Sequence, residues 1–215
     1  LVLGKGVPFT RLPQPYFDVA EQKKVIELPD KANALYLLGM NLNLRDDDHD
    51  YPALLMANYM LGGGSLKSRL ADRIRQKDGL SYGVGSQLKA NVLDKAGSFV
   101  AFAIFAPQNL GRLETAFKEE LEKARKDGFT EDELKAAKSG WLQGRQVSRG
   151  RDSNIATTLA TYLFYNRTFN WDAEMEKRVE EVTAAQAVAA LRKYVDPAKL
   201  TVVTAGSFAA LATAP

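Results

Sequence analysis

From Tyr51 to Leu61 the chain is apolar on almost every side of a helix: Tyr51, Leu54, Leu55, Met56, Tyr59, Met60 and Leu61 leave little room for a polar face. Such a helix is stable in water only when neighbours enclose it, so it must lie at the centre of the molecule. The acidic run Asp46-Asp47-Asp48-His49-Asp50 opens it, where free amides and the helix dipole favour carboxylates. Gly62-Gly63-Gly64 ends it. Ser65 is then expected to cap a second helix running to about Lys77, with Leu66, Leu70 and Ile74 as its inward stripe. Gly79 suits the left-handed turn that stops that helix.

Around this pair the spacing predicts strands at Lys24–Leu28, Ala34–Leu44, Leu80–Lys89, Gly97–Ala106 and Leu200–Ala205. Met40, Leu42 and Leu44 alternate with Asn41 and Asn43, as in an antiparallel strand with one buried face. The strand at Gly97–Ala106 is apolar on both faces and belongs mid-sheet. Helices are expected after Pro107 (stripe Leu110, Leu113, Phe117, Leu121), after the capping box Thr130/Glu133, and from Asp152 or Ser153 through Ile155, Leu159 and Leu163. A last helix follows the capping box Thr183/Gln186. Strands in pairs and helices in blocks make an α+β domain, with helices on one face of a mostly antiparallel or mixed sheet. Residues 1–24, with Pro8, Pro13 and Pro15, read as a linker or arm; residues 25–208 form the domain; residues 209–215 read as a frayed tail.

Composition removes several functions. The chain has no cysteine and a single histidine, His49. Disulfides, thiolate metal sites and cysteine nucleophiles are excluded, and any histidine-based triad would have to be built around that one residue. The net charge of +3, from 29 basic and 26 acidic residues, is too small to indicate nucleic acid. No stretch approaches the roughly 18 apolar residues of a membrane span. A chain that begins at Leu1 rather than Met reads as a piece cut from a longer one, so any signal peptide would lie upstream.

Three clusters invite chemistry and do not support it. The acidic run around His49 lacks the glycine and terminal glutamate of a calcium loop and the second imidazole of a zinc site, and reads as a solvated helix start. Gly62 to Ser68 lacks the glycine directly before Lys67 that a phosphate loop needs, and its glycines read as a tight helix–helix corner. Arg145, Arg149 and Arg151 read as a solvated helix end that complements the dipole.

The segment from Ser68 to Tyr82 is more specific. With the apolar helix, the glycine loop, Pro107, Trp141, Leu159 and the closing Val202-Val203-Thr204-Ala205-Gly206, it resembles the second-half domain of the pitrilysin/insulinase metallopeptidases over about residues 25–208. The most specific element is an Arg and a Tyr seven residues apart across a helix-to-strand turn, matched here by Arg75 and Tyr82.

The resemblance implies a fold like the half-domains of mitochondrial processing peptidase. It also implies an enzyme of two similar halves closing on a peptide. The first half carries His-x-x-Glu-His and zinc, and the second contributes the Arg/Tyr pair to hold substrate. No His-x-x-Glu-His occurs here, so no catalytic or metal residue carries over. The implied partners are a zinc-bearing homologous half and an unfolded peptide, with no nucleic acid and no membrane, and zinc is expected in the partner half only. The alternative is a structural subunit of the same family with no peptidase role. Helical spacing adds that Arg75 points about 140° away from the Leu66/Leu70/Ile74 stripe. A guanidinium fork and a phenol hydroxyl suit peptide carbonyls. The resemblance and the absence of cysteine together lead to an expected periplasmic location.

Overall fold

The computed structural model describes residues 6–208. Five strands form one mixed sheet in the order β1-β5-β2-β4-β3: β1 (Lys23–Glu27), β2 (Ala34–Leu42), β3 (Ser81–Lys89), β4 (Gly97–Phe105) and β5 (Thr201–Gly206). The β1/β5 pair is parallel and the others are antiparallel. The α+β expectation holds, and Gly97–Phe105 is indeed interior, paired on both sides. Residues 6–22 form neither helix nor strand; Arg11 grips Asp94, and Asn41 donates to the Phe17 carbonyl at 3.1 Å. The expected tail at 209–215 lies outside the described residues.

The helices are α1 (Tyr51–Asn58), α2 (Leu110–Lys126), α3 (Glu131–Arg149), α4 (Asp152–Tyr165), α5 (Phe169–Glu180) and α6 (Ala184–Tyr194). One sheet face is buried beneath the helical layer: Ala34, Tyr36 and Leu38 on β2, and Phe99, Ala101, Ala103 and Phe105 on β4. Alternation puts their neighbours on the other, open face. The all-apolar helix is central, with Leu54, Met56 and Leu61 at 1% exposure or less. Both capping boxes form as read, at Thr130/Glu133 and Thr183/Gln186.

Sequence periodicity leads to no helix between Leu163 and Thr183, yet α5 fills that interval. Thr168 caps it, and Trp171, Met175 and Val179 at i, i+4 and i+8 face inward, a pattern that was present to be read. The helix expected from Ser65 also differs. Ser65 has a positive φ of 56° and starts only a short 3₁₀ turn, Ser65–Lys67, with Leu66 half-exposed. The helix proper begins after Ser68, which is extended, and continues as a π-helical stretch, Ala71–Lys77, over buried Leu70 and Ile74.

The Thr130 capping box is reinforced from this second helix. Arg69 Nε donates to Glu133 Oε1 at 2.7 Å, and the guanidinium stacks 4.7 Å from the Phe129 ring centroid. The Arg69 hydrogen bond holds the Glu133 carboxyl down at about 2, well below its ordinary value. A depressed carboxylate stabilises the fold above its unfolded pKa, about 4.3, and that contribution disappears as pH falls toward the folded value. Glu133→Gln should therefore cost about 1–2 kcal/mol at pH 6. In urea melts, the gap between variant and wild type should narrow steadily below about pH 4. A gap independent of pH would mean that the pair contributes packing rather than charge.

Candidate substrate-binding edge

The link between the second helix and β3 is closely specified. The π-helical stretch ends with Asp78 N–H on the Arg73 carbonyl at 3.0 Å and Leu80 N–H on the Ile74 carbonyl at 2.8 Å. Gly79 makes the turn at φ +62°, as expected, and buried Leu80 anchors the entry into β3. The strand then starts with a bulge: Ser81 pairs with Phe105 and Gly83 with Ile104, leaving Tyr82 as the extra residue. The Ser81 hydroxyl, buried, lies 2.6 Å from the Ile104 carbonyl oxygen and accepts from Gly83 N–H at 3.1 Å. A bulge re-aims one side chain, and here that side chain is Tyr82, 65% exposed.

Arg75 also faces solvent, although the geometry is not that of an α-helical stripe. Each neighbouring cation is held: Arg69 by Glu133, Arg73 by Asp78 and Glu119, Lys77 by Asp72. Among the described residues Arg75 has no ion-pair partner and the Tyr82 hydroxyl no hydrogen bond. Nor does any hydrogen bond or cation–π contact join the two. They stand on one helix–turn–strand unit, both exposed and both free. Uncompensated donors of this kind are available to a ligand. π-helical turns are rare and often mark functional sites, and this one carries Arg75.

β3 is the outer strand, hydrogen-bonded only to β4. The glycine run lies against its middle. A Cβ on Gly62 would fall 2.5 Å from Ser86 Oγ, and Ser86 Oγ donates to Asn58 Oδ1 at 2.8 Å. Gly62 thus serves close approach of a π-helical turn, Tyr59–Gly63, to an edge strand, whereas Gly63 and Gly64 are tight against Asn58 and Tyr59 at the corner that leads into the next helix. Among the described residues no backbone hydrogen bond reaches β3 from its outer side.

The remaining clusters are structural. Asp46 is buried and takes a two-pronged grip from Arg167 at 2.6 and 2.7 Å. Asp48 accepts from Arg45 N–H, and Asp50 is held by Lys193. The acidic run is therefore paired rather than solvated, although the His49 ring, 3.3 Å from the Asp50 carboxylate, remains 94% exposed. Arg145 and Arg149 bind Asp172 and Glu176 on α5, so they too are not a solvated helix end. Among the described residues no group of three His, Cys, Asp or Glu side chains is placed to hold a metal ion. An exposed lone imidazole 3.3 Å from Asp50 does not fit a zinc site.

Residues 3–140 match the family model of the peptidase M16 inactive domain. The chain belongs to the M16 peptidase family. This M16 inactive domain superposes on the peptidase M16 inactive domain of Pseudomonas fluorescens with a TM-score of 0.79 at 27% identity, covering 94% of this chain and 47% of that one. It is 35% identical over 118 residues to an uncharacterized zinc protease of Mycobacterium leprae, which covers 55% of this chain and 25% of the relative. It is 23% identical over 175 residues to a non-peptidase homolog of Helicobacter pylori, 79% of this chain and 39% of the relative. The M16 inactive domain thus spans well under half the length of these curated relatives. The pitrilysin-type resemblance read from Arg75, Tyr82 and their surroundings is that of this family.

Proposed function

We propose that this M16 inactive domain is the peptide-holding half of a two-half zinc metallopeptidase. An unfolded substrate would add as a strand beside β3, and Arg75 and Tyr82 would hold its carbonyls at the active site of a zinc-bearing homologous half. The domain would cut nothing alone. The observation that carries this reading is the free Arg75 and the bulge-presented Tyr82 at the end of an unpaired sheet edge. A β-edge offers main-chain hydrogen bonds to any extended peptide, whereas the two side chains add donors at one end.

The H. pylori relative described as a non-peptidase homolog favours a second reading, a structural subunit with no peptide role. A binding experiment separates the two. The isolated chain should bind a fluorescein-labelled unfolded polypeptide, such as casein, and leave it uncut. Arg75→Ala and Tyr82→Ala should each weaken binding about three- to thirtyfold by anisotropy, with unchanged melts. No binding, or binding indifferent to both substitutions, would favour the structural subunit. A periplasmic location remains part of the same proposal.

A further inference from the structure

Helix α2 covers the sheet unevenly. Its inward stripe, Leu113, Phe117 and Leu121, is buried, and the Phe117 ring centroid lies 5.1 Å from that of Tyr36 on β2, the two rings stacked. β1, at the edge of the sheet, is left uncovered, with all five of its residues exposed. Between that edge and α2 a cleft of about 390 Å³ opens to solvent, within the range of small-molecule sites. Pro197 and Leu200, in the turn that leads into β5, form a further wall.

The inside of the cleft is made of core residues. Leu38, Phe117, Leu121 and Leu200 line it, each at 7% exposure or less. Tyr36 lines it too and is 4% exposed, yet its hydroxyl has no hydrogen-bond partner among the described residues. Directly across the β2/β5 pair, buried Thr204 faces the same side, and its hydroxyl is also unpartnered. Buried hydroxyls are nearly always bonded, because an unpaired one has lost its hydration and gained nothing. Two of them side by side call for a reason, and the cleft beside Tyr36 supplies one. Burial and the nearby Glu114 carboxylate push the Tyr36 phenol up to about 12, so it stays a neutral donor and acceptor.

The rim carries both signs of charge. Lys23 Nζ and Glu114 Oε1 bridge β1 to α2 at 3.0 Å. Lys118, Glu122 and Glu21 also line the rim and have no ion-pair partner among the described residues. A purely anionic ligand would meet two free carboxylates there, and a hydrocarbon would leave the Tyr36 hydroxyl unpaired.

We propose that this cleft binds a small zwitterion with an apolar side chain and an internal amide, the chemistry of a dipeptide. The carboxylate would face Lys118, the ammonium Glu122 or Glu21, and the amide the Tyr36 hydroxyl, with the apolar side chain against Phe117 and Leu121. β1 and β3 are opposite edges of the sheet, so this site is separate from Arg75 and Tyr82, and neither reading depends on the other.

The probe is leucyl-phenylalanine, titrated into the chain by calorimetry. One equivalent should bind with a dissociation constant below about 1 mM. Acetylating its amine and amidating its carboxylate should weaken binding at least about fivefold. Tyr36→Phe keeps the stacked ring and removes only the hydroxyl. It should weaken binding about two- to tenfold without lowering the melting temperature. Lys118→Ala, a substitution at an exposed side chain, should weaken the free dipeptide about two- to fivefold and leave its C-terminal amide form unaffected. No saturation by about 10 mM dipeptide would overturn the proposal. So would full affinity in both variants, which would put the dipeptide elsewhere on the chain. Equal affinity for the blocked dipeptide would overturn it too, by making the cleft a purely apolar site.

Discussion

If Arg75 holds substrate as proposed, Arg75→Lys in the full-length protein should slow peptide turnover about ten- to a hundredfold while the domain stays folded. Lysine keeps the charge and loses the planar fork, and a hydrogen bond involving a charged group contributes roughly 1.5–3 kcal/mol. Tyr82→Phe keeps the ring and loses the hydroxyl, a smaller loss of about two- to tenfold. Folding is untouched because neither side chain is buried or bonded to the rest of the domain. Under the proposal both groups address one end of one bound strand, so the double variant should be less impaired than the product of the single effects. The measurement is kcat/KM for the four proteins, with thermal melts as control. Wild-type rates in both single variants would return Arg75 and Tyr82 to an ordinary exposed cation and an ordinary exposed ring.

The largest stability effect is expected at Arg167. Its guanidinium binds both oxygens of Asp46 and stacks 4.3 Å from the Trp171 ring centroid, joining the start of α5 to the loop before α1. The two side chains are only 13% and 9% exposed. Arg167→Met leaves a buried carboxylate with no counter-charge, which costs about 3–5 kcal/mol. For a domain of this size that lowers the melting temperature by roughly 6–20 °C. Removing both charges together, as Arg167→Met with Asp46→Leu, should recover most of the loss, since the penalty belongs to the stranded charge rather than to the missing bond. A double variant as unstable as the single would show that the Trp171 contact matters more than the pair.

Much of the fold was legible because its signals are local. Alternation in β2, the all-apolar α1, the two Thr-led caps and Gly79 each declare themselves within a few residues, and the structure confirms all of them. Long-range partners were not legible. Asp46 and Arg167 are distant in sequence, and neither shows from its neighbours that it will be buried. Arg145 and Arg149 looked like a helix end facing water because their counter-charges sit on α5, a helix that went unread. The π-helical turns were invisible for another reason. They arise where a helix must press against β3, at Gly62 against Ser86, and helical spacing assumed from the sequence cannot anticipate that demand. At the candidate site, the turn joining Arg75 to Tyr82 was local and was read, whereas the bulge depends on pairing with β4 and was not.

The strand order β1-β5-β2-β4-β3 has a consequence for how the protein is made. β5 is synthesised last, yet it lies between β1 and β2. As the chain leaves the ribosome, β2, β4 and β3 can pair with one another, but one side of β2 is left open until Thr201–Gly206 emerges. That waiting edge is the charge-free segment Ala34–Leu42, the kind of strand that associates with other nascent chains. β1, already outside, has no strand to join until the same moment. The nascent domain is thus most exposed to misassembly during the whole interval in which its helices are being translated, and the arrival of six residues closes that interval on both sides of the new strand.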